Sequence, residues 1–97
     1  MNKAVIAGYS RSPFTMARKG ELIDIKPVNL LSEVIKDLVS KSKINQNDIE
    51  DVVIGCAFQV GEQCFNIGKL VTFLTGMDIK TSGMTVDRWC GSSMEAI

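Results

Sequence analysis

The clearest hydrophobic pattern in the chain lies between residues 27 and 43. Its apolar residues form one stripe along a helix: Leu30, Leu31, Val34, Ile35, Leu38 and Val39. Pro27 suits the first turn, and Lys41 and Lys43 suit the last, because cations are favoured at the carboxyl end of a helix dipole. The pattern predicts a helix over residues 27–43.

Three shorter apolar runs have the composition of buried strands: residues 3–8, 52–57 and 84–86. Leu70, Phe73 and Leu74 indicate a second helix, with Gly76 as the glycine that ends it. A third helix is indicated by Cys90, Met94 and Ile97, which have the i, i+4, i+7 spacing of one helix face.

The predicted elements alternate along the chain in the order β-α-β-α-β-α. Alternation of this kind predicts an α/β fold with an open, mostly parallel sheet and helices packed on it. The charged stretch over residues 14–26 is interpreted as a loop, and no internal repeat or domain boundary interrupts the 97 residues.

Composition excludes several classes of protein. Eleven Lys and Arg residues balance eleven Asp and Glu residues, so neither nucleic acid nor a membrane surface is expected as a partner. The apolar run over residues 4–8 is too short for a signal peptide or a membrane span. Three cysteines without a C-x-x-C pair argue against a disulfide framework or a zinc site, and no metal is expected. A cytoplasmic protein in a reducing compartment is predicted.

Cys90 is the candidate nucleophile. It is predicted to be the first residue of the helix that follows the strand over residues 84–86, where free N–H groups and the helix dipole favour thiolate over thiol. Gly91 leaves room for an acyl group to approach. The alternative is that Cys90 is simply a small buried hydrophobic residue. We interpret Cys56 as buried packing and give Cys64, in a polar loop, no catalytic role. The sequence contains no histidine, the usual base beside a cysteine nucleophile.

Four stretches resemble the amino-terminal part of the thiolase family. They are Arg-Ser-Pro-Phe at 11–14, the Gly-Cys strand and its following loop at 53–62, Asn-Ile-Gly-Lys at 66–69, and Thr-Val-Asp-Arg-Trp-Cys-Gly-Ser-Ser at 85–93. The last is the most specific, because it resembles the family's nucleophile segment at eight or more positions. Lys69 stands where the family has arginine.

The resemblance implies a thiolase-like fold, of which residues 1–97 are an incomplete amino-terminal domain. It implies an acyltransferase that forms an acyl-thioester on Cys90 and either condenses two acyl-CoA molecules or cleaves a 3-ketoacyl-CoA, with the direction left open. CoA thioesters are then substrates, no cofactor is permanently bound, and the CoA-binding residues are unknown. The family's histidine and second cysteine have no counterpart here, so the 97 residues alone are expected to be inactive. The resemblance also implies a homodimer or homotetramer.

Two alternatives stay open at this point. One is a ketoacyl synthase of the same superfamily, which also attacks with a cysteine at a helix start. The other is a non-catalytic thiolase-like domain that binds lipids or a partner. Arg-Ser-Pro-Phe and the Gly-Cys strand favour thiolase over the synthase, and Cys90 with its following Gly-Ser-Ser favours an enzyme.

Overall fold

The computed structural model describes residues 2–97, in which helices and strands alternate. In chain order, the regular elements are α1 (Pro27–Ser42), β1 (Asp51–Gly55), α2 (Ile67–Leu74), β2 (Ser82–Val86) and α3 (Ser92–Ala96). Short 3-10 turns at Gln46–Asp48 and Gly61–Gln63 lie before β1 and α2. The chain therefore folds as α-β-α-β-α after its first 26 residues.

The two strands form a parallel sheet. Asp51 pairs with Ser82 at one end of the register and Gly55 pairs with Val86 at the other. The Cys56 N–H donates to the Val86 carbonyl at 2.9 Å and extends the pairing by one residue. Because parallel neighbours need a crossover, α2 connects them and packs on the sheet. The predicted α/β class with a parallel sheet is confirmed.

Residues 3–8 differ from the sequence prediction, since they form no strand. Val5 is 80% exposed and Ile6 is 81% exposed, so the prediction of a buried strand is wrong here. A strand needs a partner edge and a covering layer, and this segment lies beside α1 instead. The Ser10 hydroxyl donates to the Asp37 carboxylate at 2.5 Å and ties the segment to α1. Hydrogen bonds from Lys41 and then Ser10 hold the pKa of Asp37 below its ordinary value.

Helix α1 agrees with its prediction to within one residue. It begins at Pro27 and ends at Ser42, where Lys43 takes a left-handed conformation (φ 55°) and its N–H donates to the Ser40 carbonyl. The apolar stripe of α1 is half-buried and the helix contacts α2. Helix α2 ends as predicted, because Gly76 follows its last turn with a φ of +71°.

The core lies between α2 and the sheet. Its buried apolar side chains are Cys56, Ile67, Val71 and Met77. The prediction that Cys56 is buried is confirmed. This small core fixes α2 on β2, the strand that leads to Cys90.

Helix α2 approaches the backbone of β2 unusually closely. A Cβ atom at Gly68 would overlap the Met84 backbone, and one at Gly83 would overlap the Gly68 backbone. Asn66 precedes α2 with a φ of 55°, and its Nδ2 donates to the Gly83 carbonyl at 3.0 Å. The Thr85 hydroxyl donates to Asn66 Oδ1 at 2.9 Å. These contacts fix the position of β2 relative to α2.

Candidate active site

Cys90 is exposed in the turn that joins β2 to α3. The predicted strand-to-helix junction is therefore confirmed as the location of this thiol. The prediction that Cys90 is the first helical residue is wrong, since α3 begins at Ser92 with Gly91 as its N-cap. The regular helical bonding starts with the Glu95 N–H, which donates to the Gly91 carbonyl at 3.0 Å. Cys90 thus lies two residues before the helix, at the carboxyl end of the sheet.

The turn that carries Cys90 is closed by its own polar side chains. The Trp89 N–H donates to Asp87 Oδ1 at 2.9 Å, and the Arg88 N–H donates to Ser92 Oγ at 2.9 Å. The Ser92 hydroxyl donates in turn to the Trp89 carbonyl at 2.7 Å. Asp87 Oδ1 lies 3.5 Å from that hydroxyl, so the shorter bond to Trp89 takes the proton. The Gly91 N–H completes the turn by donating to the Arg88 carbonyl at 2.9 Å.

Trp89 has a strained backbone immediately before Cys90. Its φ is +45°, a region that bulky side chains rarely occupy and that costs on the order of 1–3 kcal/mol. This conformation delays the helix, because the chain turns at Trp89 before it can enter the helical region. The Trp89 ring packs edge-on against Phe58, with the ring centroids 6.0 Å apart. Trp89 directly precedes the thiol in sequence, and its contact with Phe58 forms an aromatic surface beside the turn.

Strand β1 also supports the turn, through Gly55 at its end. A Cβ atom at Gly55 would overlap the backbone of Ser92 and Ser93. Only glycine therefore allows α3 to rest on the end of β1. Sequence reasoning did not identify this role for Gly55, or the buried hydroxyl of Ser92. The only signal was a strand-ending glycine and a serine near a helix start, which are common and unspecific.

The charged side chains near Cys90 have different partners. Arg88 Nε lies 3.2 Å from Glu95 Oε2, and both side chains are largely exposed, so this ion pair adds little stability. Asp87 caps the Trp89 N–H instead of pairing with a cation. Within residues 2–97, no three His, Cys, Asp or Glu side chains lie close enough to hold a metal ion.

The other two cysteines occupy different environments. Cys56 is buried beneath the end of β1, whereas Cys64 is partly exposed and its thiol donates to the Gly61 carbonyl at 2.8 Å. All three cysteines have free thiols. No helix in the described part of the chain is long and apolar enough to cross a membrane.

Fold and site together define an α/β protein with an exposed cysteine between a parallel strand and a helix. The family model for the thiolase N-terminal domain matches residues 4–97, and the chain belongs to the thiolase family.

Two relatives illustrate the similarity. The chain is 37% identical to the 3-ketoacyl-CoA thiolase of Marinomonas sp. (strain MWYL1) over 97 residues, covering 99% of this chain and 25% of that protein. It is 39% identical to the 3-ketoacyl-CoA thiolase of Colwellia psychrerythraea over 98 residues, covering 100% of this chain and again 25% of the relative. The chain therefore spans about a quarter of the length of these relatives.

Solved structures give the same fold. The acetyl-CoA acetyltransferase of Syntrophomonas wolfei superimposes with a TM-score of 0.85 at 17% identity, over 95% of this chain and 23% of that one. The Acat5 thiolase of Ascaris suum, solved with coenzyme A, gives a TM-score of 0.74 at 22% identity, over 79% of this chain and 20% of that one. The thiolase-like fold predicted from the sequence is confirmed.

Proposed function

We propose that this chain carries the nucleophile of a thiolase-type acyltransferase, and that Cys90 is that nucleophile. The observation that carries the proposal is the exposed Cys90 thiol at the carboxyl end of β2, in a turn fixed by Asp87 and Ser92. Chemistry in open α/β sheets is concentrated at this end of the strands. Membership of the thiolase family and the names of the relatives support CoA thioesters as the substrates.

The proposed chemistry begins with the Cys90 thiolate. Its Sγ attacks the carbonyl carbon of an acyl-CoA, and a new carbon–sulfur bond forms while the carbonyl oxygen becomes an oxyanion. The Cys90 backbone N–H contributes to the hole that binds this oxyanion. When the intermediate collapses, the original carbon–sulfur bond breaks and CoA leaves as a thiolate. The acyl group remains on Cys90.

The acyl-enzyme then reacts in one of two directions. In the direction of condensation, it transfers its acyl group to the carbanion of a second acyl-CoA, and a carbon–carbon bond forms. In the direction of cleavage, the acyl-enzyme is produced from a 3-ketoacyl-CoA and then passes its acyl group to CoA. Cys90 serves both directions. The 97 residues contain no histidine, so the base that deprotonates Cys90 lies outside them, and we propose that they form an incomplete amino-terminal thiolase domain. We place the enzyme in the cytoplasm, as a homo-oligomer without a permanently bound cofactor.

Acyl transfer to Cys90 is tested in the protein expressed from its complete reading frame. The protein is incubated with acetyl-CoA, digested and mapped by mass spectrometry. We expect the mass gain of one acetyl group on the peptide that contains Cys90. Cys90→Ser should lower turnover by at least about a thousandfold, because a serine hydroxyl is a much weaker acid than a thiol and forms the nucleophilic anion far less readily. Its thermal unfolding should be nearly unchanged, since the two side chains are similar in size.

Cys64→Ser is the matched control, because Cys64 is also accessible but lies outside the turn. This variant should retain acetyl transfer. Acetylation of Cys56 or Cys64 with Cys90 unmodified would contradict the proposal. Binding of acetyl-CoA without modification of any cysteine would favour the non-catalytic lipid-binding alternative.

A further inference from the structure

Both peptide groups of Trp89 are held by side chains from the same turn. Asp87 accepts the Trp89 N–H at 2.9 Å, and Ser92 donates to the Trp89 carbonyl at 2.7 Å. Trp89 is the residue with the positive φ, and Cys90 follows it directly. The Trp89 carbonyl also accepts the Ser92 N–H at 3.2 Å, so the two side chains add to a backbone bond in holding the strained conformation that precedes Cys90.

We propose that Asp87 and Ser92 are positioning residues for the Cys90 nucleophile, which they orient by clamping Trp89 in its left-handed conformation. The inference rests on the proposed function of Cys90. In this proposal neither side chain contacts the substrate. Their effect reaches the thiol through the peptide bond between Trp89 and Cys90.

Ser92 is the stronger half of the clamp. It is only 4% exposed, and its oxygen also accepts the Arg88 N–H at 2.9 Å, so one hydroxyl holds two consecutive residues of the turn. Its neighbour Ser93 is exposed, and its hydroxyl makes no hydrogen bond within residues 2–97. The pair thus provides two adjacent serines of which only one reaches the turn.

The position of the Cys90 thiol depends on the turn that carries it. Cys90 is exposed, and its backbone lies outside α3. Acyl transfer from a large thioester requires the sulfur at a defined distance and angle from the carbonyl carbon, and a misplacement of about 1 Å costs on the order of a hundredfold in rate. A clamp on the preceding residue therefore acts on turnover more than on substrate binding.

The test uses five variants of the protein expressed from its complete reading frame. Ser92→Ala and Asp87→Ala remove the clamp, whereas Ser92→Thr keeps the hydroxyl and Asp87→Asn keeps an oxygen that accepts the Trp89 N–H. Ser93→Ala is the matched control. Asp87 is exposed, so its variants test the idea without disturbing a buried position.

Three measurements separate positioning from folding. The first is the kcat and KM of acyl transfer. The second is hydrogen exchange of the peptide that contains residues 87–92, where the amides of Arg88 and Trp89 are protected by the clamp. The third is alkylation of Cys56, which is buried and becomes accessible only if the fold opens.

We expect Ser92→Ala and Asp87→Ala to lower kcat roughly ten- to a hundredfold while KM stays within about twofold. Exchange over residues 87–92 should accelerate while Cys56 stays protected. Asp87→Asn and Ser92→Thr should restore most of the loss, and Ser93→Ala should behave like the unsubstituted protein.

The inference is overturned if Asp87→Ala and Ser92→Ala retain both the unsubstituted kcat and slow exchange. It is also overturned if they lose activity only together with exposure of Cys56, because the side chains would then support the fold alone. If the unsubstituted protein transfers no acyl group to Cys90, the proposed function is contradicted. In that case the exchange measurement still decides whether the clamp on Trp89 exists.

Discussion

Single glycine residues determine how closely the elements around the site approach each other. Gly68 in α2 and Gly83 in β2 face each other, and a Cβ atom on either would overlap backbone of the other element. Gly55 has the same relation to the first turn of α3. A backbone atom cannot move aside as the end of a flexible side chain can, so these positions tolerate no side chain without a shift of a whole element.

Gly68→Ala tests this close approach, because helix propensity and packing predict opposite changes in the free energy of unfolding. In an exposed helix the substitution would stabilise by about 1 kcal/mol, because alanine is the better helix former. Here we expect net destabilisation of roughly 1–3 kcal/mol, since the added methyl group overpacks the contact with Met84. The free energy of unfolding from a urea titration measures the difference.

Gly91→Ala is the control for stability. Its Cβ atom would meet the Arg88 carbonyl oxygen at 3.4 Å, an ordinary van der Waals contact. The midpoint of unfolding should change little. A Gly68→Ala variant as stable as the unsubstituted protein would show that α2 and β2 are not held at this distance.

At the scale of elements, the free edge of β2 is the most consequential feature. β1 occupies one edge, and no strand within residues 2–97 covers the other. Met84 lies in this strand and is 45% exposed. An uncovered edge next to the site invites pairing with another strand, and the thiolase resemblance points to the same strand of a second subunit.

We predict that the protein expressed from its complete reading frame is a dimer or tetramer with β2 at a two-fold interface. Met84→Lys should shift it toward monomer, because the two-fold axis brings the two added charges together. Sedimentation velocity at micromolar concentration measures the distribution. Ile79→Lys places the same charge at an apolar residue outside the strand, where Ile79 is 81% exposed, and should leave assembly unchanged. A monomer in the unsubstituted protein would contradict the prediction.

At the scale of the whole molecule, the core is small for the amount of apolar surface. Within residues 2–97, four apolar side chains are buried, whereas nineteen large apolar side chains are exposed, among them Val5, Phe14 and Phe65. A domain of this length buries a modest share of its surface even when all its apolar faces are covered. We expect exposed apolar surface of this extent to associate with apolar surface on other molecules or on further parts of the protein.

We therefore predict that residues 1–97 expressed alone fold poorly and are inactive. The missing proton acceptor removes turnover, and the uncovered apolar side chains favour aggregation or a loosely packed species. Thermal unfolding and cleavage of acetoacetyl-CoA are the two measurements. A cooperative transition together with turnover would refute both the requirement for residues outside these 97 and our interpretation of Cys90 as one part of a larger site.

The sequence by itself determined the features that depend on local pattern. Helix α1 follows from its apolar stripe and Pro27, and the end of α2 follows from Gly76. The alternation of elements was sufficient to predict the parallel pairing of β1 and β2. Four stretches, of which the Cys90 segment is the most specific, resembled one family closely enough to predict membership, which the family model confirms.

Tertiary structure decided what depends on contacts between distant residues. Residues 3–8 have the composition of a strand but form none, because a strand requires a partner edge that no apolar run encodes. Cys90 was placed inside a helix by its spacing, yet the turn at Trp89 and the hydroxyl of Ser92 delay the helix by two residues. The periodicity of apolar residues indicates which of them lie on the same face of an element. Strand pairing and the geometry of a turn depend instead on which backbone groups form hydrogen bonds with distant residues.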